Sequence, residues 1–283
     1  MTLYELHQRP EMENPALVVA LEGWIDAGLG AGTAAAAMLA AVESEVVATF
    51  DTDALLDHRA RRPILRIRDG VTDALMWPAL ELRAGHDADG TAVLMLVGPE
   101  PDHQWKAFAA DVAELAALFS VRILVGLGAF PAPVPHTRPA RLAATASTEE
   151  LAQRVGFVPG TLDVPAGAQA ALERQLAEAG TPAVGLWARV PHYAAAMPYP
   201  EASALLLEGL KDIAGVKVDT TDLRAAADAT RVRLDELVAE SDEHSAMVRQ
   251  LEAQVDAETA GPLETTSGDQ LAAEVERFLR DQS

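Results

Sequence analysis

The chain has 283 residues, 49% of them hydrophobic, with 43 acids against 22 basic residues and a formal net charge of −21. A field of that sign repels nucleic acid and anionic membrane, so neither is expected as a partner. There is no cysteine, which excludes disulfides and thiolate metal sites and fits a reducing compartment.

The length allows one large α/β domain with additions, or two domains. The start, MTLYELHQRPEMENP, lacks the basic residues and apolar core of a secretory signal. The alanine-rich run at 27–42 is too short and too weakly apolar to span a membrane. The expectation is a soluble cytoplasmic protein.

Residues 16–21 (ALVVAL) predict a strand buried on both faces. EGWIDAGLGAG follows, then an alanine-rich helix to about residue 42. The next predicted strand, 45–50, leads into a charged, mostly exposed segment at 51–63. Residues 64–67 and 76–82 predict two shorter strands, paired as a hairpin at the sheet edge. DADG at 87–90 signals a turn, and 91–97 is another apolar strand. GPEPDHQW leads into a helix over 105–119. Strand 122–127 feeds GAFPAPVPHTRP at 128–139. Its four prolines each fix φ and lack an N–H, so they are expected to interrupt any helix or inner strand there. Ser147 or Thr148 caps a short helix with Glu149 and Glu150 in its first turn. A helix over 165–179, a strand over 183–190 ending in PHYAAAMPYP, and a helix over 203–213 complete this part.

Strands alternating with helices predict an α/β fold, a three-layer α/β/α domain with a mostly parallel sheet, over residues 1–220. Residues 221–283 predict a helical C-terminal module. Its segment 222–259 is free of proline and glycine. A seam runs through Leu223, Ala227, Thr230, Leu234, Leu237, Ser241, His244, Val248, Leu251 and Val255, with a break expected between Ser241 and His244. A linker at 261–269 and an amphipathic helix over 270–280 follow.

In a parallel sheet, ligands sit beyond the carboxyl ends of the strands. EGWIDAG, GPEPDHQW, GAFPAPVPHTRP and PHYAAAMPYP all fall there, so a shared rim is expected, holding Trp24, Asp26, Gly28, His103, His136, Thr137, Arg138, His192 and Tyr193. Histidine suits acid–base work or metal binding. However, no HxxxH or HExxH pair and no GxSxG elbow occurs, so neither a metal nor a cofactor is assigned. Gly28, Gly30 and Gly32 before a helix, with Asp51 after the next strand, make a weak nucleotide signal. The same glycines permit a tight turn and close helix–sheet packing. Trp24, Trp77, Trp105 and Trp187 suit apolar anchoring or core packing.

EGWIDAG (22–28), FDTDALLDHRARRP (50–63), GPEPDHQW (98–105), GAFPAPVPHTRP (128–139) and VPHYAAAMPYP (190–200) occur in that order. As a set they resemble the family named after the second proteasome assembly chaperone, in its actinobacterial branch. The resemblance covers residues 1–215 and, more loosely, the tail. It implies a fold similar to the purine nucleoside phosphorylase and hydrolase-like group. It also implies self-association, with a homotrimer as one candidate, and proteasome-related partners. It supplies no catalytic residues. Members that dock on proteasome rings end in a hydrophobic residue, a tyrosine and one more residue. This chain ends Arg280, Asp281, Gln282, Ser283, so ring docking by the tail is not expected. The expected function is a non-enzymatic oligomeric scaffold or assembly-chaperone-like protein. The alternative is a nucleoside phosphorylase- or hydrolase-like enzyme using the His/Arg rim.

Overall fold

The apolar runs pair as strands and the alanine-rich segments cover them as helices. The computed structural model describes residues 2–23 and 25–259; Trp24, the linker expected at 261–269 and the helix expected over 270–280 lie outside them. In chain order the first elements are β1 (Tyr4–Leu6), β2 (Ala16–Glu22), α1 (Gly30–Ala41), β3 (Glu43–Phe50), α2 (Thr52–Leu55), β4 (Ile64–Arg68), β5 (Val71–Met76), β6 (Glu81–His86) and β7 (Ala92–Pro99). Next come α3 (Trp105–Leu118), β8 (Ile123–Ala132), β9 (Leu142–Ala146), α4 (Glu149–Val155), α5 (Ala168–Glu178) and β10 (Ala183–Pro191). Then α6 (Pro200–Ala214), α7 (Thr221–Ala239) and α8 (Asp242–Thr259) follow.

Among the described residues, eight strands form one sheet in the order β1-β3-β6-β7-β2-β8-β10-β9. The four central strands, β7, β2, β8 and β10, pair in parallel. The flanking pairings are antiparallel, so the sheet is mixed, with a parallel centre. Strand alternation sends Val18 and Val125 to one face and Leu17 and Leu124 to the other. Met38 of α1 and Leu206 and Leu210 of α6 close the first face. Phe108 and Leu115 of α3 and Leu172 and Leu176 of α5 close the second. This is the expected three-layer α/β/α arrangement.

Two expectations need correction. The hairpin at 64–67 pairs with β5, in the register Leu65↔Leu75, and not with 76–82. That second segment straddles the end of β5 and the start of β6, which belongs to the main sheet. The physical reason is the Asp-Gly pair at the tip: Asp69 and Gly70 have φ +52° and +83°, the left-handed conformation a two-residue hairpin turn demands. The pair β4–β5 stands apart from the sheet.

Nor do the prolines end β8 at residue 127; it continues to Ala132 through Pro131. The Leu124 N–H bonds to the Pro182 carbonyl, so even-numbered β8 residues turn their N–H toward β10 and odd-numbered ones toward β2. The β2 ladder stops at Val19↔Gly126, and a last bridge joins Ala129 to Asp26 in the turn that follows, so the N–H that Pro131 lacks would have come after the pairing on that side. Pro191 follows the same logic. The Arg189 N–H bonds to the Arg141 carbonyl, and the pairing with β9 ends at Ala188↔Leu142. Both central strands thus run past their neighbours and carry their proline turns out over the sheet edge.

The C-terminal seam folds as a hairpin of α7 and α8, with Ser241 between them accepting the His244 N–H on its hydroxyl. Ala227, Leu234, Val248, Leu251 and Val255 are buried, while Leu237 near the turn is exposed. Phe108 is fully buried and its ring meets Phe50 edge-on at 5.0 Å. Replacing Phe108 with alanine is therefore expected to destabilise the chain by about 3–5 kcal/mol, read as a lowered urea midpoint with an unchanged slope.

Candidate functional site

Because β7, β2, β8 and β10 are parallel, their carboxyl ends share one edge of the sheet. The turn after β2 is organised by Asp26. Its carboxylate accepts the Ala31 N–H at 2.7 Å and the Gly32 N–H at 2.9 Å. A carboxylate there satisfies donors a helix cannot pair internally and complements the dipole. It also occupies the position a bound phosphate would need. Asp51, the candidate ribose acid, accepts the Asp53 and Ala54 N–H groups at the start of α2. Asp51, the acid of the nucleotide signal, and Asp26 beside its glycines are therefore both capping groups.

Gly28 has φ +66°. Its N–H bonds to the Ala195 carbonyl and its carbonyl accepts the Tyr199 N–H, each at 2.8 Å. A Cβ at Gly28 would come within 2.6 Å of the Tyr199 Cβ, so only glycine allows this approach. The turn after β2 is thereby fastened to the segment after β10.

The loop after β8 meets the C-terminal helices. His136 is 5% exposed. Its backbone N–H donates to the Tyr193 hydroxyl at 2.9 Å, and its Nδ1 lies 2.7 Å from the same oxygen. Its Nε2 lies 3.1 Å from Asp235 Oδ1 on α7. A phenol has one proton and a carboxylate only accepts. The neutral ring therefore carries its proton on Nε2, donated to Asp235, and takes the Tyr193 proton at Nδ1. Burial, and then the charges of Glu252 and Asp235, push the Tyr193 phenol above its ordinary value, against the opposing pull of the His136 N–H. It stays a donor.

Thr137 Oγ1 donates to Glu252 Oε1 at 2.5 Å, and Arg138 Nη1 donates to the same oxygen at 3.1 Å. Arg138 Nε and Nη2 grip the two oxygens of Asp256, each at 2.8 Å. This two-pronged geometry is the strong form of an arginine–carboxylate pair. Hydrogen bonding by Asp256 raises the Arg138 pKa, and hydrogen bonding by Arg138 lowers that of Asp256. Arg224 makes a second clamp, from α7 to Glu201 and Glu208 on α6. A cleft of about 420 Å³ remains between the loop and α7, lined by His136, Arg138, Tyr199, Arg224 and Arg231 among others.

The three histidines of the expected rim make separate contacts. His192 is exposed and meets the Tyr193 ring edge-on at 5.4 Å, and Tyr193 meets His136 at 5.8 Å. The His103 N–H bonds to the Leu55 carbonyl, and Asp102 is its charged neighbour. Among the described residues, no hydrogen bond, ion pair or ring contact joins His103 to His136 or His192. Asp102 is tied to the Asp57 N–H and to Arg61 instead. The phosphorylase- or hydrolase-like alternative finds no support in this geometry. Residues that the sequence reading did not single out, Asp235, Glu252, Asp256 and Tyr199, complete the site. Glu252 and Asp256 carried a readable signal: acids four apart share one helix face.

Replacing Asp26 with alanine is expected to cost about 1 kcal/mol, measured by chemical denaturation. Arg138→Ala is expected to weaken amide-exchange protection of residues 242–259 while the central strands keep theirs. Acid should act at the same place. Pairing lowers the folded-state pKa of Asp256, so its contribution is complete above the ordinary aspartate value of about 3.9 and vanishes as pH falls through the lowered one. Exchange protection of 242–259 should therefore decline below about pH 4, and in Arg138→Ala it should no longer follow the titration of Asp256.

The sequence profile of the PAC2 family matches residues 20–238. No curated protein matches the chain. A Corynebacterium glutamicum protein of unknown function is similar in structure, with 34% identity and a TM-score of 0.84, over 91% of this chain and 98% of that one. A Mycobacterium tuberculosis protein of unknown function, Rv2714, shares 37% identity with a TM-score of 0.83, over 91% of this chain and 92% of its own. The Mycobacterium tuberculosis proteasome-assembly chaperone homologue Rv2125 shares 33% identity with a TM-score of 0.76, over 82% of this chain and 99% of its own. On the profile match and these relatives, the chain belongs to the PAC2 family.

Proposed function

We propose that this chain is a non-enzymatic, self-associating protein of the assembly-chaperone kind, acting in the cytoplasm on proteasome-related proteins. One observation carries the reading: His136, Thr137 and Arg138, in the loop after β8, are bonded to the chain's own C-terminal helices. An enzyme of this architecture needs such groups directed at a substrate. Here they serve as anchors for a helical module beginning near residue 221. The likeness to Rv2125, described as a proteasome-assembly chaperone homologue, supports the choice of partner. The absence of cysteine agrees with a reducing compartment. Among the described residues, no helix is long and apolar enough to cross a membrane.

Mixing the purified chain with actinobacterial proteasome α and β subunits tests this reading, with complexes followed on native gels. Saturable binding to free subunits or half-assembled particles is the expected result, with faster appearance of complete particles. Absence of any complex with free subunits or finished particles would refute it.

A further inference from the structure

A small space of about 20 Å³ lies where the β8 loop, the end of β10 and α8 meet. Valines and prolines of the two strand-end turns, with Val255 of α8, make its apolar walls. Three arginines, Arg138, Arg141 and Arg189, also line it, against one carboxylate, Glu258. Three positive charges less one negative leave +2 around the space, in a chain of −21.

Arg138 has acids of its own, Asp256 and Glu252. Arg189 does not. Its Nε is buried without a hydrogen-bond partner, and it forms no ion pair among the described residues. The strand explains its position. Pairing between β10 and β9 ends at Ala188↔Leu142, so Arg189 is the first residue beyond that ladder, and its backbone N–H goes to the Arg141 carbonyl at 3.1 Å. An arginine keeps its proton, so burial cannot discharge it. A buried charge of that kind needs an acceptor or a counter-charge.

Tyr199 lines the same space and is 6% exposed. Its hydroxyl has no hydrogen-bond partner among the described residues. Burial, and then the charge of Glu201, push this phenol well above its ordinary value, so it stays protonated and can donate. The unmatched groups are therefore donors. The volume limits the guest to one water-sized body. Phosphate and sulfate, with four oxygens each, are too large. A water would bring two protons of its own where acceptors are scarce, whereas a halide only accepts. Apolar walls strengthen the attraction between a guanidinium and an anion.

We infer that this space binds a single halide ion, chloride in ordinary buffers, between Arg189 and Tyr199. Because Val255 and Glu258 belong to α8, bound chloride ties the C-terminal hairpin to the end of β10. The site is independent of the partner proposed above. Chloride NMR line width in solutions of the intact protein tests it. The wild type is expected to broaden the chloride line, bromide to reverse the broadening, and Arg189→Met to show none of it. No broadening by the wild type would mean that the guest is water, and broadening that survives in Arg189→Met would place the halide elsewhere; either overturns the site. Should the variant misfold, the wild type supplies a second reading. Replacing gluconate with chloride at equal ionic strength is expected to raise amide-exchange protection of residues 242–259 to a plateau. Equal protection in the two salts would overturn the site.

Discussion

The grip of Arg138 on Asp256 and Glu252, beside His136 held between Tyr193 and Asp235, decides where the C-terminal hairpin lies. These contacts join a loop at the sheet edge to helices about a hundred residues later in the chain. The loop suits the task because prolines restrict it before anything binds, so little conformational freedom is lost when it does. Val134, Pro135 and Pro139 line, with Val255 of α8, a space of about 20 Å³, so the charged fork sits over an apolar contact with hardly any void. The Arg138 side chain is one-third exposed and its partners are on the surface. The clamp therefore feels salt and pH more than the core does.

Placement of polar groups at the carboxyl ends of parallel strands usually signals a ligand site. In this chain helices α7 and α8 bond to His136, Thr137 and Arg138 there. Asp26 fills the helix start that could hold a phosphate, while Gly28 packs closely against Tyr199 and Gly30 against Ala129 and Ala202. The edge reads as a joint between a rigid sheet and a helical module.

Much of this was legible in the sequence. The apolar runs at 16–21, 91–97 and 183–190 became central strands, because continuous burial leaves few alternatives for such segments. The rim turns were also found, since parallel strands put their ends on one edge. Two strands left too little signal: β1 has three residues, and β9 reads LAATA, poor in strand-favouring side chains. The reach of β8 through Pro131 depended on where β2 stops pairing, a property of the neighbour. The partners of His136 and Arg138 were hidden for a similar reason. Acids abound in this chain, and only the fold of α7 and α8 selects Asp235, Glu252 and Asp256 from among them.

The account stands on a direct energetic link between Arg138 and Asp256. A double-mutant cycle with alanine at both positions, read through amide exchange of residues 242–259, measures that link. If the loop anchors the hairpin as described, the second substitution adds little once the first is made. Effects that simply sum, as for two independent sites, would contradict it.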